Sequence, residues 1–534
     1  MPIDELLGRL WRRVPSASKA AFFSCLIFGY LVHLYAFTNL IPNADGLSRV
    51  FDLQQMTVSG RWFLHYASAL NGFTQMPAVI GLLSLVFLGL AAALAADLLG
   101  FRSRVLAALA GALMAAFPCV GYTFLYLFTA SAYCLAIFLA VWSVWLARRG
   151  KLWWLAGVAA LALSMGTYQA YAALAIGLSL LVVLREALLP AATLRGTLTL
   201  AGRLCACLLA GAVLYYLVLL VFLQVKGVEL LSYLGMDAAS LGYPLSRLPA
   251  LLFETYKQVV AFFFVPGSAD GFASWWMAIL DLAALALGAL CLLRRLTDRG
   301  LAREEPWRPL GALAALLLLP LGINFMQVLS PYSAPTPLMK YSFVAVWLAV
   351  LMLADLADIL PPLPRLRVGA ASLAAVWTAV LLLFCLNTNN LLYTASAQAH
   401  RATASYATRL LSRIESCEGY EPGMEIAIVG AVPPEQIRSD IPSYLQVDHY
   451  SVPRDTVLTL NKHIYYYLSD WLNFPVEELP EETMQAISDS PEFQSMPLYP
   501  AQGSVQVLDG RVVVRMQEEY TPKSDYEIAY ENRR

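Results

Sequence analysis

The sequence predicts an α-helical polytopic membrane protein that ends in a small α/β domain. Three observations predict it. The chain of 534 residues is 59% hydrophobic and only 14% charged, whereas an ordinary soluble domain carries about 25% charged residues. The apolar residues fall in long blocks, and a crossing helix needs about 20 of them. The last part of the chain, 387–534, is polar and mixed in a way the rest is not. The formal net charge of −1 points to no nucleic-acid partner.

Taken in order, apolar runs lie at 20–40, 77–99, 105–121, 127–147, 152–166, 168–184, 204–224, 273–293, 309–329, 341–360 and 368–386. The first is expected to be a retained helix, because no small-residue cleavage site follows a short apolar core. The count is about eleven spans, two of them short. Basic residues test it. Arg9, Arg12, Arg13, Lys19, Arg102, Arg104, Arg148, Arg149, Lys151, Arg185, Arg195, Arg203, Arg294, Arg295, Arg299, Arg303, Arg308, Arg365 and Arg367 all fall in alternate connections. The positive-inside rule then puts the N-terminus inside and, with an odd number of spans, the tail outside. The transmembrane domain is 1–386, with long outer loops at 41–76 and 225–272, and the tail is 387–534.

In the second loop, Arg247 to Phe262 mixes apolar and polar residues as a helix in the interface plane does. In the tail, Ala395 to Glu415 predicts a helix and Met424 to Gly430 a buried strand. Ser504 to Met516 predicts a hairpin turning at Asp509-Gly510. No internal repeat is visible, which counts against a transporter built from inverted repeats.

The outer loops hold the chemistry. Asp45, in Pro42-Asn43-Ala44-Asp45-Gly46-Leu47-Ser48-Arg49, is either a general base for a hydroxyl or a turn aspartate. Asp52, seven residues on, is a second base or an arginine's partner. Arg49 and Arg61 stand where basic residues are disfavoured and suit bidentate phosphate recognition; lipid headgroups or Asp52 are their other partners. Trp62, with Phe63, His65 and Tyr66, is either a sugar-stacking surface or an interfacial aromatic belt. Lys340-Tyr341 follows a proline-stiffened loop, so Lys340 is a fixed cation at the mouth of the next helix or a snorkelling one. Tyr341 joins the sugar-binding candidates. Lys257 is a weaker cation of the same type, and Lys226 weaker still. Tyr168 and Gln169, in Gly166-Thr167-Tyr168-Gln169-Ala170-Tyr171, either hydrogen-bond a sugar or close a helix corner.

Other groups carry less. Asp281, deep in a span, costs about 2.5–3.5 kcal/mol to insert and is expected to be structural ahead of catalytic. Asp97, Asp355 and Asp358 lie at inner helix ends. Cys25, Cys134, Cys205, Cys207 and Cys291 sit in apolar blocks as small hydrophobes, with Cys417 in the tail. His33, His65, His400, His449 and His463 show no metal spacing, and no nucleotide-binding or Gly-x-Ser-x-Gly pattern appears.

Asn43-Ala44-Asp45-Gly46-Leu47 to Ser59-Gly60-Arg61-Trp62 and the Thr167-Tyr168-Gln169 corner resemble the bacterial glucosyltransferase (Gtr) family, whose members include serotype-converting O-antigen enzymes. So do Met496-Pro497-Leu498-Tyr499-Pro500, Gly503-Ser504-Val505 and Asp509 to Val514 in the tail. The resemblance covers nearly the whole chain. It implies the GT-C fold, a site at the outer face of the cytoplasmic membrane, a polyprenyl-phosphate-sugar donor and a first-loop aspartate as base, here Asp45. Some members carry two adjacent acids there. Ala44 fills one of those positions, leaving Asp45 to act unaided or with Asp52.

A lipid-borne donor suits a site outside the cell, because nucleotide-sugars are made inside. The lipid-phosphate leaving group needs positive charge more than an acid, while the acceptor hydroxyl needs a base. One carboxylate and several cations therefore suffice for a single inverting displacement of a hexose, glucose by the family's implication, onto an envelope glycan. No cofactor and no metal are expected, though Asp45 and Asp52 leave room for a shared ion. The expected partners are the lipid-linked donor, the glycan acceptor and membrane lipids, with a flippase and a donor-synthesising glycosyltransferase as further candidates. The rival class is a transporter or flippase of lipid-linked sugars, with Asp281 as its coupling residue. A scaffold tethering the tail comes last.

Overall fold

The computed structural model describes residues 2–47, 50–150, 152–230, 245–268, 271–298, 301–330, 335–357, 369–433, 436–437 and 456–522. Arg49, Lys151, Arg299, Asp358, Arg365, Arg367 and His449 lie outside the described residues, as do parts of the loops at 225–272 and 330–337.

Helix α1 (Ile3–Arg13) precedes α2 (Ser16–Thr38), and the short α3 (Leu64–Ser68) sits in the loop after it. The bundle continues with α4 (Pro77–Leu99), α5 (Arg104–Ala116), α6 (Pro118–Leu125), α7 (Leu127–Arg149), α8 (Leu152–Thr167), α9 (Ala172–Ala187) and α10 (Leu194–Lys226). Then come α11 (Leu248–Phe264), α12 (Trp275–Asp298), α13 (Leu301–Glu304), α14 (Trp307–Ile323), α15 (Phe325–Leu329), α16 (Val344–Ala357) and α17 (Ala370–Glu415). Among the described residues, eight helical segments are long and apolar enough to cross a membrane, counting α5 with α6 as Arg104–Leu125 and the turn before α9 with it as Gln169–Ala187. Three shorter apolar helices, Leu152–Thr167, Trp307–Ile323 and Tyr341–Ala357, fall on the remaining runs.

The expected eleven spans therefore correspond to eight helices of full length and three that fall short. Hydropathy does not register a broken backbone within one run: that at 309–329 breaks at Asn324 (φ −103°, ψ 34°). Extended Tyr168 (φ −158°) closes α8 where the runs at 152–166 and 168–184 part.

Small residues let the helices approach. Helix α2 packs on α4 and α5, α7 on α4 and α8, α8 on α10, α9 on α14, and α12 on α16. A Cβ on Gly111 of α5 would come within 2.1 Å of the Ala21 carbonyl oxygen of α2. In a lipid environment such close contact stands in for hydrophobic drive. Two buried carboxylates of the bundle are paired: the Trp347 indole donates to Asp281 at 2.9 Å, and the Asp355 carboxylate accepts from the backbone N–H of Arg102 and Ser103, both at 2.9 Å.

Arginines gather at one end of the bundle and cap carbonyls there. Arg148 donates to Asp97 and Leu98, Arg203 to Arg148, and Arg295 to Leu188. Arg308 donates to Ala187, Leu189, Pro190 and Ala192. Orphan carbonyls at helix C-termini favour such cations.

Helix α17 runs unbroken for 46 residues. The sequence division at 386/387 lies within it. The helix's packing passes from the bundle to the tail core between Ala397 and Ala402. The tail adds β1 (Ile426–Val429), α18 (Asn461–Tyr466), a π turn over Tyr467–Trp471, α19 (Glu481–Ser488), α20 (Pro491–Ser495), β2 (Val505–Leu508) and β3 (Arg511–Arg515). The strands order β1-β3-β2, with β1 parallel and β2 antiparallel to β3. Asp509 (φ 48°) and Gly510 (φ 75°) form the hairpin turn, where both central residues need positive φ. Burial pushes the Tyr467 hydroxyl up to about 12.

Candidate active site

Asp45 stands on a single 3-10 turn, Ala44–Gly46, just beyond α2. Asn43 caps it, its Oδ1 accepting from Gly46 N–H at 2.7 Å. On the bundle side, Gln75 Nε2 donates to the Gly46 carbonyl at 3.0 Å. The Phe128 ring lies 3.4 Å from where a Gly46 Cβ would be. On the other side, Leu47 is fully buried in the tail core, and the Trp471 indole donates to its carbonyl at 3.0 Å. The Asp45 side chain between these anchors is exposed. Among the described residues, no hydrogen bond or ion pair engages its carboxylate. Asp52 differs: it is half-buried, and its Oδ1 accepts from Gln54 N–H at 2.7 Å as part of the loop's own turn.

The loop that follows is folded rather than open. Asp52 N–H donates to the Phe73 carbonyl at 3.0 Å, His65 Nδ1 lies 2.6 Å from the Leu53 carbonyl, and Asn71 Nδ2 donates to Ser131 Oγ at 3.1 Å. It delivers Ser59-Gly60-Arg61-Trp62 to the corner between α8 and α9. Gln169 Nε2 donates to the Ser59 carbonyl at 2.9 Å and to the Tyr215 hydroxyl at 3.0 Å; that hydroxyl donates to the Gly60 carbonyl at 3.1 Å. Gly60 has φ +77°, and a Cβ there would meet Gln169 Nε2 at 2.4 Å. Only glycine suits both the conformation and the space. Trp62 is buried and stacks on Phe222 of α10, ring centroids 5.5 Å apart.

Arg61, half-exposed, projects from this clamp. Its Nη1 donates to the Tyr133 hydroxyl at 3.2 Å, and its guanidinium carbon sits 4.8 Å from the Tyr168 ring centroid. Tyr168 stacks on Tyr133 at 4.5 Å, Tyr171 meets Tyr168 edge-on at 5.4 Å, and Tyr341 meets Tyr171 at 6.4 Å. The aromatic faces hold the cation's stem and orient its head.

Both Asp45 and Arg61 therefore border the start of α7: Phe128 lies under the turn, and Tyr133, about 7.5 Å further along the helix axis, under the guanidinium. The other end of α7 is the arginine-rich end.

Lys340 follows a 3-10 turn, Pro337–Met339, that packs against α6, and is only 1% exposed. It is therefore a buried cation and not a snorkelling one. Tyr341 is equally buried, its hydroxyl donating to the Met114 carbonyl at 2.9 Å. Lys257 lies on the exposed face of α11, paired with Glu254 at 3.2 Å. Of the residues singled out in the sequence, Asp45, Arg61, Tyr168 and Gln169 gather around α7 and the α8–α9 corner. Lys340 and Tyr341 join through the tyrosine ladder, and Lys257 stands apart. Among the described residues no group of acids, histidines and cysteines has the makings of a metal site.

Sequence reasoning missed Tyr133, Tyr215 and Trp471. The first two sit within apolar runs, and the third lies over 400 positions from the loop it touches, so no local signal marks them.

A family model described as glucosyl transferase GtrII matches residues 34–354. That segment holds the Asp45 turn, the Gly60 clamp, Arg61, the Tyr168–Gln169 corner, Lys257 and Lys340. No curated protein and no solved structure matches the chain.

Proposed function

This chain belongs to the glucosyl transferase GtrII family, and from that premise we propose that it is a polyprenyl-phosphate-sugar-dependent hexosyltransferase. It moves glucose from the lipid-linked donor to a hydroxyl of an envelope glycan, at the outer face of a bacterial cytoplasmic membrane. The observation that carries this reading is the Asp45 carboxylate: exposed, unengaged among the described residues, and held on a turn anchored from two sides. A general base must be open to its proton donor and fixed in place. Asp45 meets both conditions, and Asp52, already accepting from Gln54, is the supporting acid.

The charge distribution supports the same reading. The arginines that cap helix carbonyls lie at the opposite end of α7, so the positive-inside rule puts that end in the cytosol and Asp45 outside. In the proposed mechanism, Arg61 meets the donor phosphate, with Arg49 and Lys340 as the further cations; Lys257, paired with Glu254 on α11, takes no part. The leaving lipid phosphate is stable as an anion once that charge faces it. Asp45 takes the proton of the acceptor hydroxyl as its oxygen attacks the anomeric carbon. The carbon–phosphate-oxygen bond breaks on the opposite face, and configuration inverts. Tyr168 borders the sugar, and Trp62, Gln169 and Tyr341 form the wall behind it.

The test is transfer in detergent from polyprenyl-phosphate-glucose to envelope glycan by the purified protein. Detergent leaves no sealed compartment, so a transporter gives no signal. We expect Asp45→Asn to lower the rate by about 10²–10⁴-fold, the range for loss of a general base. Undiminished transfer by folded Asp45→Asn overturns the assignment, and retention of anomeric configuration overturns the single displacement.

A further inference from the structure

Leu47 is an odd residue to find fully buried. It follows a polar turn two positions after Asp45, beyond the end of a membrane helix, yet it belongs to the core of the tail with Leu410, Tyr467 and Leu468. Its carbonyl is taken by the Trp471 indole at 3.0 Å. Trp471 closes the π turn, where Leu472 N–H reaches back five residues to the Tyr467 carbonyl at 3.1 Å. Such wide turns re-aim a side chain and recur at functional positions. Here the Trp471 ring lies parallel to Tyr467 at 6.3 Å, and His400 of α17 meets both edge-on at 5.3 and 5.8 Å. The indole is thus fixed on two sides, with its N–H directed at the catalytic loop.

We propose that Leu47 and Trp471 form a latch through which the tail domain positions Asp45. They are positioning residues: neither touches the reacting atoms. This rests on the reading of Asp45 as the base. The 3-10 turn has two anchors. Gln75, just before α4, and Phe128 of α7 hold it on the bundle side, while Leu47 and Trp471 belong to, or insert into, the tail. Removing the second leaves Asp45 on a turn held from one side only. The tail is then an integral wall of the active site, although the family match ends at residue 354.

The test compares Trp471→Phe, Leu47→Ala, Leu47→Met and Asp45→Asn in the full-length protein. Trp471→Phe keeps an aromatic ring against Tyr467 and His400 and removes the donated hydrogen bond. We expect its kcat to fall about tenfold, in keeping with about 10²-fold for a 1 Å misplacement, with donor KM within about twofold. Its melting temperature should match the parent's. Leu47→Ala should lose as much or more, and Leu47→Met should recover most of the parent rate. Because the latch acts through Asp45, Trp471→Phe should cost nothing further in an Asp45→Asn background. Parent-like kcat for Trp471→Phe beside an inactive Asp45→Asn overturns the latch and leaves the base reading standing. A Trp471→Phe loss that persists undiminished on top of Asp45→Asn also overturns it. Full activity of Asp45→Asn overturns the base reading, and the latch with it.

Discussion

The Asp45 carboxylate and the Arg61 guanidinium differ in how they are held, and that difference suits their proposed tasks. The acid is exposed on a backbone turn fixed at both ends, while the cation lies over a tyrosine ring and is steered by a hydroxyl. Lysine cannot reproduce a planar head over an aromatic face. Arg61→Lys is therefore expected to raise the donor KM about tenfold, the equivalent of roughly 1.4 kcal/mol, with a smaller change in kcat, as measured by donor-saturation kinetics. Gly60→Ala must occupy φ +77° and push aside both Gln169 and Tyr215. We expect it to destabilise the fold by about 1–3 kcal/mol and to lower the temperature of half-inactivation. Asp45, Arg61 and the Tyr168–Gln169 corner were legible in the sequence because polar residues stand out between apolar runs. What Gln169 does was not legible: its amide is spent on Ser59 and Tyr215, and only the folded chain brings those groups together.

Helix α17 is the element that joins bundle to tail. The apolar run at 368–386 and the tail helix at 395–415 are one helix in the structure, because Asn389, Asn390 and Thr394 do not end it. Asn389, Asn390 and Thr394 instead hydrogen-bond backward to the carbonyls of residues 385, 386 and 390. Polar side chains lowered the hydropathy without breaking the backbone, so composition suggested a boundary where geometry has none. Inserting one alanine after Ala397 should turn the tail about 100° relative to the bundle and raise it about 1.5 Å. Leu47 then misses its socket. We expect at least tenfold loss of transfer with normal membrane insertion, checked by activity per unit of membrane-extracted protein. Parent-like activity would show that the tail's phase does not matter. The hairpin was easier to read, since Asp509-Gly510 between alternating residues leaves few other conformations.

Across the whole molecule, the arginine-rich end and the Asp45 end lie at opposite termini of α7, a helix of 23 residues and so about 35 Å long. That is close to the ~30 Å thickness of a bilayer's hydrocarbon. The class of fold was plain from composition, but the number of crossings was not, because the break at Asn324 lies inside one apolar run and three of the apolar helices fall short of full length. Cys417, beyond α17, is half-buried, and the proposed orientation places it outside. A membrane-impermeant maleimide added to intact cells should label it, whereas Cys417→Ser should abolish the signal. Burial raises the Cys417 thiol above its ordinary value. Less thiolate is present at neutral pH, so labelling should run slower than for a free thiol and keep rising as pH passes the usual thiol range. Labelling only after the cells are opened would reverse the orientation.

The length of α17 has a mechanical consequence. Its 46 residues span about 69 Å, more than twice the hydrocarbon thickness, and no linker interrupts them. The helix carries the chain from bundle into tail without a linker, so this connection costs no tethering entropy. On the proposed reading, an acceptor reaches the Asp45 turn beside a column of fixed height. Under that proposal, clearance as well as chemistry selects the acceptor.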